Sequence, residues 1–320
     1  MVSKRMNRSV TILVTGSQGF LGQHIARYFS IQGYHVVGID VVSPKSVGKV
    51  YLKEYHQLSL LDNRLIDLLT NIKPSVCIHC AGGADVCASI VDPLADYYSG
   101  PQLVIKLLEC IRLVIPTCLF INFSSAAVYG NPEMLPIKES HPRNPISPYG
   151  YHKLITETIC SEYSKIFQIR TVNLRIFSAY GTGLKRQVIF DICKKAVIDK
   201  SLELEGTGEE SRDFIHVTDI AFGIEQVINN SINAFEIFNL GSGRETTIKE
   251  LSNLIIKYIK PGECKVHFTG VIPQGKPLNW IADISELNRL GFYPKISLEK
   301  GIESYVKWFR NEWKTSEALE

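Results

Sequence analysis

Tyr149 and Lys153 stand four residues apart in Ser147-Pro148-Tyr149-Gly150-Tyr151-His152-Lys153, at the start of a stretch with a helical pattern. On a helix that spacing stacks the two side chains on one face, a turn apart. A nearby ammonium favours phenolate over phenol, so Lys153 is expected to draw the Tyr149 pKa down from about 10 towards working pH. A phenol tuned in this way can take a proton from a hydroxyl group and later return it. The spacing alone arises often by chance. It gains meaning here from a glycine-rich fingerprint near the N-terminus and a serine-rich segment between the two.

Positioning such a pair requires a scaffold, and the chain outlines one. Strand-like runs at Val10–Val14, His35–Ile39, Ser75–Cys80, Cys118–Phe123 and Arg170–Leu174 alternate with helical patterns at Gly19–Gln32, Asn63–Asn71, Pro93–Arg112 and Tyr149–Phe167. Buried strands rich in Val and Ile, alternating with helices, predict an α/β fold with a parallel sheet covered on both faces. From Ala179 onward glycines and charged residues become denser. Helical patterns continue there at Gln187–Asp199, Thr218–Asn229, Thr247–Ile259 and Leu298–Glu312. With no repeat and no low-complexity linker, a smaller second unit is expected to pack directly on the first.

Thr11-Ile12-Leu13-Val14-Thr15-Gly16-Ser17-Gln18-Gly19-Phe20-Leu21-Gly22 follows the first strand and opens the first helix. Gly16 lets the chain turn, Gly19 admits a pyrophosphate close to backbone, and Gly22 allows tight helix–strand packing; the helix N-terminus then offers N–H groups to the phosphates. Asp40 ends the second strand, where a carboxylate binds ribose hydroxyls and repels a 2′-phosphate. No Arg or Lys follows Asp40 until Lys45, so the expected cofactor is NAD rather than NADP. Cys80-Ala81-Gly82-Gly83 closes the strand-like run Ser75–Cys80 with small residues over which a dinucleotide can lie.

Bulk properties narrow the class. The 320 residues carry a net charge of +3, too small to indicate nucleic acid or a membrane surface as partner. No apolar run approaches the roughly 18 residues needed to cross a bilayer. The basic start Met1–Arg8 lacks a signal-peptide apolar region, which points to a cytoplasmic protein. Eight cysteines sit mostly in apolar runs; Cys77 and Cys80 have metal-like spacing but lie in a strand with no second ligand pair, so no metal site is expected. His79, His141 and His152 have no partner pattern and read as structural.

Asn122-Phe123-Ser124-Ser125-Ala126-Ala127-Val128-Tyr129-Gly130 ends the strand-like run Cys118–Phe123, on the edge where ligands bind in such sheets. Together with Gly16/Gly19/Gly22 and Ser-Pro-Tyr-x-x-x-Lys, it makes the chain resemble the extended short-chain dehydrogenase/reductase superfamily, and within it the NAD-dependent nucleotide-sugar epimerase/dehydratase family. The resemblance continues through Arg175-Ile176-Phe177-Ser178-Ala179-Tyr180-Gly181, Arg212-Asp213-Phe214-Ile215-His216-Val217 and Phe238-Asn239-Leu240-Gly241-Ser242-Gly243. It implies a Rossmann-type doubly wound sheet over 1–180 and 214–241, with a nucleotide-sugar-binding unit over 181–213 and 242–320. It further implies Ser125, Tyr149 and Lys153 as catalytic residues, with Lys153 also on the nicotinamide ribose. NAD contacts are implied at Gly16, Gln18, Gly19, Phe20, Leu21, Gly22, Asp40, Ala81, Gly82, Tyr149 and Lys153, and substrate contacts at Ser125, Ser178, Lys185, Arg186, Arg212 and Asp283.

Several positions depart from the family pattern. Dehydratases place Asp-Glu after the catalytic Ser/Thr as acid and base for water loss, whereas Ala126-Ala127 stand here. Ser178 replaces an Asn, Ser59 an Asp near adenine, and Gly100-Pro101-Gln102-Leu103-Val104 the usual Asn-Val-x-Gly-Thr. Trp280 stands three residues before Asp283, where an Arg is common; it can stack on a base or fill core. Lys185 and Arg186, with Arg212, can hold a diphosphate, or form a solvated basic turn. The expectation is an NAD-dependent epimerase of nucleotide sugars, most simply a 4-epimerase on a UDP-sugar through a 4-keto intermediate. The rivals are a 4-dehydrogenase or 4-keto reductase on the same scaffold and a non-catalytic NAD-binding regulator. A homodimer through Pro93–Arg112 and Tyr149–Phe167 is also expected, because Leu103, Val104, Ile105, Leu107, Leu108 and Ile111 are too many for one buried stripe.

Overall fold

The Val/Ile-rich segments form strands β1 (Thr11–Thr15), β2 (His35–Asp40), β3 (Glu54–Gln57), β4 (Val76–His79), β5 (Leu119–Ser125) and β6 (Thr171–Ile176). A later strand, Phe235–Leu240, pairs with β6, giving seven parallel strands in the order Phe235–Leu240, β6, β5, β4, β1, β2, β3. The computed structural model describes residues 10–43, 51–198, 201–259, 265–271 and 277–317. Lys45, Cys264 and Met1–Arg8 lie outside the described residues.

Strand side chains alternate between two cores. Ile12 and Val14 join Ile25, Phe29, Ile220 and Ile224 on one face; Leu13 joins Leu107, Ile111 and Cys160 on the other. Helices Phe20–Ile31 and Val217–Asn230 cover the first face, and Arg64–Ile72, Pro101–Val114 and Pro148–Phe167 the second. This is the doubly wound, Rossmann-type α/β arrangement expected from the sequence.

The single helix expected over Pro93–Arg112 is instead two, Pro93–Ser99 and Pro101–Val114, preceded by a short helix Val86–Val91. Gly100 breaks the run at φ −118° and ψ −91°, and Pro101, lacking an N–H, starts the next helix at its first position.

Helices Gln187–Ile198, Ile248–Ile259 and Leu298–Glu317 form the smaller unit around Ile192, Leu251, Ile255, Tyr305 and Phe309. Leu287 and Phe292 belong to the first core instead, so the chain after Asp283 crosses back to the sheet before its last helix. Among the described residues no helix is long and apolar enough to cross a membrane, and no group of three His, Cys, Asp or Glu is arranged to hold a metal.

Candidate active site

The strand order reverses between β1 and β4, which opens a crevice at their carboxyl ends. Gly16 adopts φ +65°, and a Cβ on it would stand 2.6 Å from the Ala81 nitrogen. One on Gly22 would stand 2.1 Å from the Gly16 oxygen, so this turn closes only with glycine at both places. Gly19 is the N-cap of helix Phe20–Ile31 and supplies no side-chain cap, nor is there an acidic residue in the first turn. The leading N–H groups at Phe20, Leu21 and Gly22 therefore face an anion site. Asp40 is held at its rim, accepting from the backbone of Gln18 at 2.8 Å and Val41 at 2.7 Å. A glycine-only cradle, an uncapped helix start and a fixed carboxylate fit NAD. The pyrophosphate would lie at Phe20–Gly22, the adenosine ribose at Asp40, and the nicotinamide half towards Ala81, Gly82 and Lys153.

Tyr149 sits in the first turn of helix Pro148–Phe167. Ser147 caps that helix by accepting from Gly150 N at 3.2 Å, and Tyr149 N donates to Ser89 Oγ at 3.1 Å. Lys153 Nζ donates to the Phe123 carbonyl at 2.7 Å and lies 5.6 Å from the centre of the Tyr149 ring. Ser125 hydrogen-bonds the Tyr149 phenol while accepting from Ala127 N at 3.1 Å. The structure thus brings Ser125, Tyr149 and Lys153 together beside the crevice.

Their electrostatics differ from the expectation. Burial pushes Tyr149 up to about 12, with the Asp96 charge adding to the rise; the Ser125 hydrogen bond and the Arg186 charge oppose it and lose. Burial lowers Lys153 to about 8, against Asp96. In the protein alone, then, Lys153 does not draw Tyr149 towards neutrality. Both charged forms lose solvation at this site, which outweighs their mutual attraction.

Beneath the pair lies a buried polar network. Glu157, one turn beyond Lys153, accepts from Ser124 Oγ at 2.5 Å and from Arg175 Nε and Nη2 at 2.9 and 2.7 Å. Arg175 also donates to the Tyr129 hydroxyl at 2.7 Å, which donates to Asn239 at 2.7 Å. These bonds tie the Tyr149 helix to β5, β6 and the edge strand, fixing its rotation over the crevice.

The model of the NAD dependent epimerase/dehydratase family matches residues 12–241. The chain belongs to this family. NAD is its cofactor and epimerisation its class of reaction. Solved relatives extend the likeness to the whole fold. A UDP-glucose 4-epimerase from Thermotoga maritima, with UDP-glucose, is 26% identical with a TM-score of 0.86, covering 95% of this chain and 100% of that one. A UDP-glucuronic acid 4-epimerase from Bacillus cereus, with UDP-glucuronic acid and NAD, is 28% identical with a TM-score of 0.85 over the same shares. A UDP-N-acetylglucosamine 4-epimerase from Methanobrevibacter ruminantium, in complex with UDP-N-acetylmuramic acid, is 27% identical with a TM-score of 0.84, covering 95% and 99%.

On the substrate side of this family member the three basic residues separate. Arg186 is exposed, makes no ion pair among the described residues, and its charge reaches Tyr149. Lys185 turns to Glu312 on the last helix, 2.6 Å away. Arg212 is wrapped by carbonyls, donating to Ser211 at 2.7 Å, Leu278 at 3.1 Å and Pro277 at 3.0 Å; burial lowers it to about 10. Its guanidinium lies 5.6 Å from the Trp280 ring. Of the two roles open to Trp280, the structure shows the core one. Trp280 packs with Ala126, Ala127, Tyr129 and Phe177, and its Nε1 donates to the Gly130 carbonyl at 2.9 Å. Ser178 is half-buried, with its N–H on the Asp213 carbonyl at 2.9 Å. Asp283 is engaged by its own chain, accepting from Ser285 N at 2.9 Å.

Sequence reasoning missed Ser89, Glu157, Asp96 and Asp213. Asp213 is fully buried and accepts from Ser242 N, Ser242 Oγ, Gly243 N and Ala282 N, joining the two halves under the substrate side. Its only signal was its place between Arg212 and Phe214 in a recognised motif.

Proposed function

We propose that this enzyme inverts C4 of a UDP-hexose through a transient 4-keto sugar. The carrying observation is the convergence of Ser125, Tyr149 and Lys153 on the crevice, with alanine at both positions after Ser125. Ala126 and Ala127 are buried in an apolar cluster, where a dehydratase would need its carboxyl groups. When bound, NAD supplies the hydride acceptor and donor at the sugar carbon. Tyr149 takes the C4 hydroxyl proton and returns it, Ser125 holds the same oxygen, and Lys153 holds the nicotinamide ribose and supplies positive charge beside the phenol. The NAD contacts follow the cradle described above, at Gly16, Gln18, Gly19, Phe20, Leu21, Gly22, Asp40, Ala81 and Gly82. Arg186 is the basic residue free to meet the diphosphate, with Arg212 shaping the wall behind it. The C4 position and the UDP group are supported by the three solved relatives, which are 4-epimerases of UDP-sugars.

We also propose a homodimer. The apolar run argued from sequence does not carry it, because Val104, Leu107, Leu108 and Ile111 are buried in the protein's own core. Support comes instead from Ile90, Val91, Leu94, Tyr97, Tyr98, Ile105, Tyr151 and Ile155, which stay exposed on the helices flanking Tyr149. Seven free cysteines among the described residues favour a cytoplasmic setting. The test is incubation with a panel of UDP-hexoses, following product stereochemistry and NADH absorbance together. Interconversion of two C4 epimers without net NADH is expected. Stoichiometric NADH with a stable keto product would establish a 4-dehydrogenase instead.

A further inference from the structure

Asp96 and His152 meet beside the catalytic pair. His152 Nδ1 lies 2.6 Å from Asp96 Oδ2. A carboxylate only accepts, so Nδ1 carries the hydrogen. The two side chains are 16% and 10% exposed. Helix Pro93–Ser99 has no need of Asp96 as its cap, since Asp92 already accepts from Ala95 N at 2.9 Å. Asp96, His152, Tyr149 and Lys153 instead line one small cavity with Gly83, Ser99 and Gly100. A Cβ on Gly83 would lie 3.5 Å from Asp96 Oδ1, so the second carboxylate oxygen faces the glycine turn after β4.

We propose that Asp96, pinned by His152, is a positioning residue for catalysis, setting a fixed negative charge beside Tyr149 and Lys153 that places the pH range in which they exchange a proton with the substrate. The inference rests on Tyr149 as the proton carrier. A carboxylate favours the protonated form of each neighbour, keeping the ammonium on Lys153 and the phenol on Tyr149. The other groups that face this cluster are Arg186 towards Tyr149, Cys80 and the buried His79 towards Lys153, and the Tyr97 ring edge, 5.6 Å from His152. Burial keeps the Cys80 thiol protonated. Asp96 is therefore the one negative charge acting on both catalytic groups among these neighbours.

The test is the pH profile of kcat in the NAD-loaded enzyme, for wild type, Asp96→Asn, His152→Asn, His152→Leu and Tyr149→Phe, with bound NAD content as the check on folding. Asp96→Asn should move both limbs of the profile to lower pH by about one unit, since both groups lose the charge that held their protons. His152→Asn, whose amide can stand where Nδ1–H stood, should keep the wild-type limbs. His152→Leu should lower kcat about tenfold with little change in KM, because the carboxylate is no longer held. Unmoved limbs in Asp96→Asn overturn the proposal. If that variant loses NAD, equal kcat in His152→Leu and wild type overturns it independently. Activity in Tyr149→Phe within tenfold of wild type would instead remove the underlying assignment of the proton carrier.

Discussion

Lys153→Met should abolish turnover and yet make the folded protein more stable at neutral pH. Burial takes Lys153 from its ordinary 10.5 to about 8. At about 1.4 kcal/mol per pH unit, keeping that ammonium in the fold at pH 7 costs about 3 kcal/mol. Methionine removes the charge but also the hydrogen bond to the Phe123 carbonyl, a loss of about 1 kcal/mol. Partial exposure of the side chain trims the first figure, leaving a net gain of roughly 1–2 kcal/mol. The sign follows from linkage. The folded pKa lies below the unfolded one, so the unfolded chain binds more protons between about pH 8 and 10.5, and wild-type stability rises through that window. The penalty is complete below about pH 8 and gone above 10.5, while the methionine variant has no such rise. Urea unfolding of the nucleotide-free proteins at pH 7 and pH 10, followed by tryptophan fluorescence, measures the gap between the two, and other titrating groups cancel in the difference. A variant less stable than wild type at pH 7, or a gap that does not change with pH, would refute the reasoning.

Tyr149→Phe should keep its fold and NAD but lose turnover by about 10²–10⁴-fold; product formation within tenfold of wild type would count against Tyr149 as proton carrier. Asp40→Ser with Val41→Arg should raise NADP affinity, read by direct titration, and an unmodified protein that already prefers NADP would contradict the role given to Asp40. Glu157→Leu leaves Arg175, 1% exposed, without its carboxylate and should cost about 3–5 kcal/mol. The double change Glu157→Leu/Arg175→Leu should recover part of this, and a single variant within 1 kcal/mol of wild type would show that the network is not coupled. Leu94→Glu with Tyr98→Glu should convert a dimer to a monomer in sedimentation, whereas wild type sedimenting as a monomer at micromolar concentration removes the dimer altogether.

What could be read from sequence was what depends on near neighbours in the chain. The glycine fingerprint, the carboxylate ending β2 and the Tyr149–Lys153 spacing each rest on local geometry, and the structure brings them to one crevice. The helix break at Gly100-Pro101 was also local, and the apolar run through it masked it. The remainder depends on partners far apart. Ser89 reaches Tyr149 across 60 residues, Asp96 reaches His152 across 56, and Tyr129 reaches Asn239 across 110. No periodicity marks such pairs. The same limit explains the error over Tyr149: charge proximity was visible in the spacing, but the loss of solvation that outweighs it comes from the surrounding fold.

The division of labour along the chain bears on how this enzyme could have diversified. Ser125, Tyr149, Lys153 and the NAD cradle all precede residue 180, and the Glu157–Arg175 network ties the Tyr149 helix to β5 and β6. Arg186 and Arg212 come later, from short strands and loops whose ties include Asp213 and a few backbone carbonyls. If the proposed function holds, mutation in the later segments would recut the sugar pocket while the Ser125, Tyr149 and Lys153 group stays in register. An ancestral lineage on this plan could trade one sugar for another by drift in its walls alone, and directed evolution aimed at residues 181–213 and 277–284 should find new substrates faster than mutagenesis spread over the whole gene.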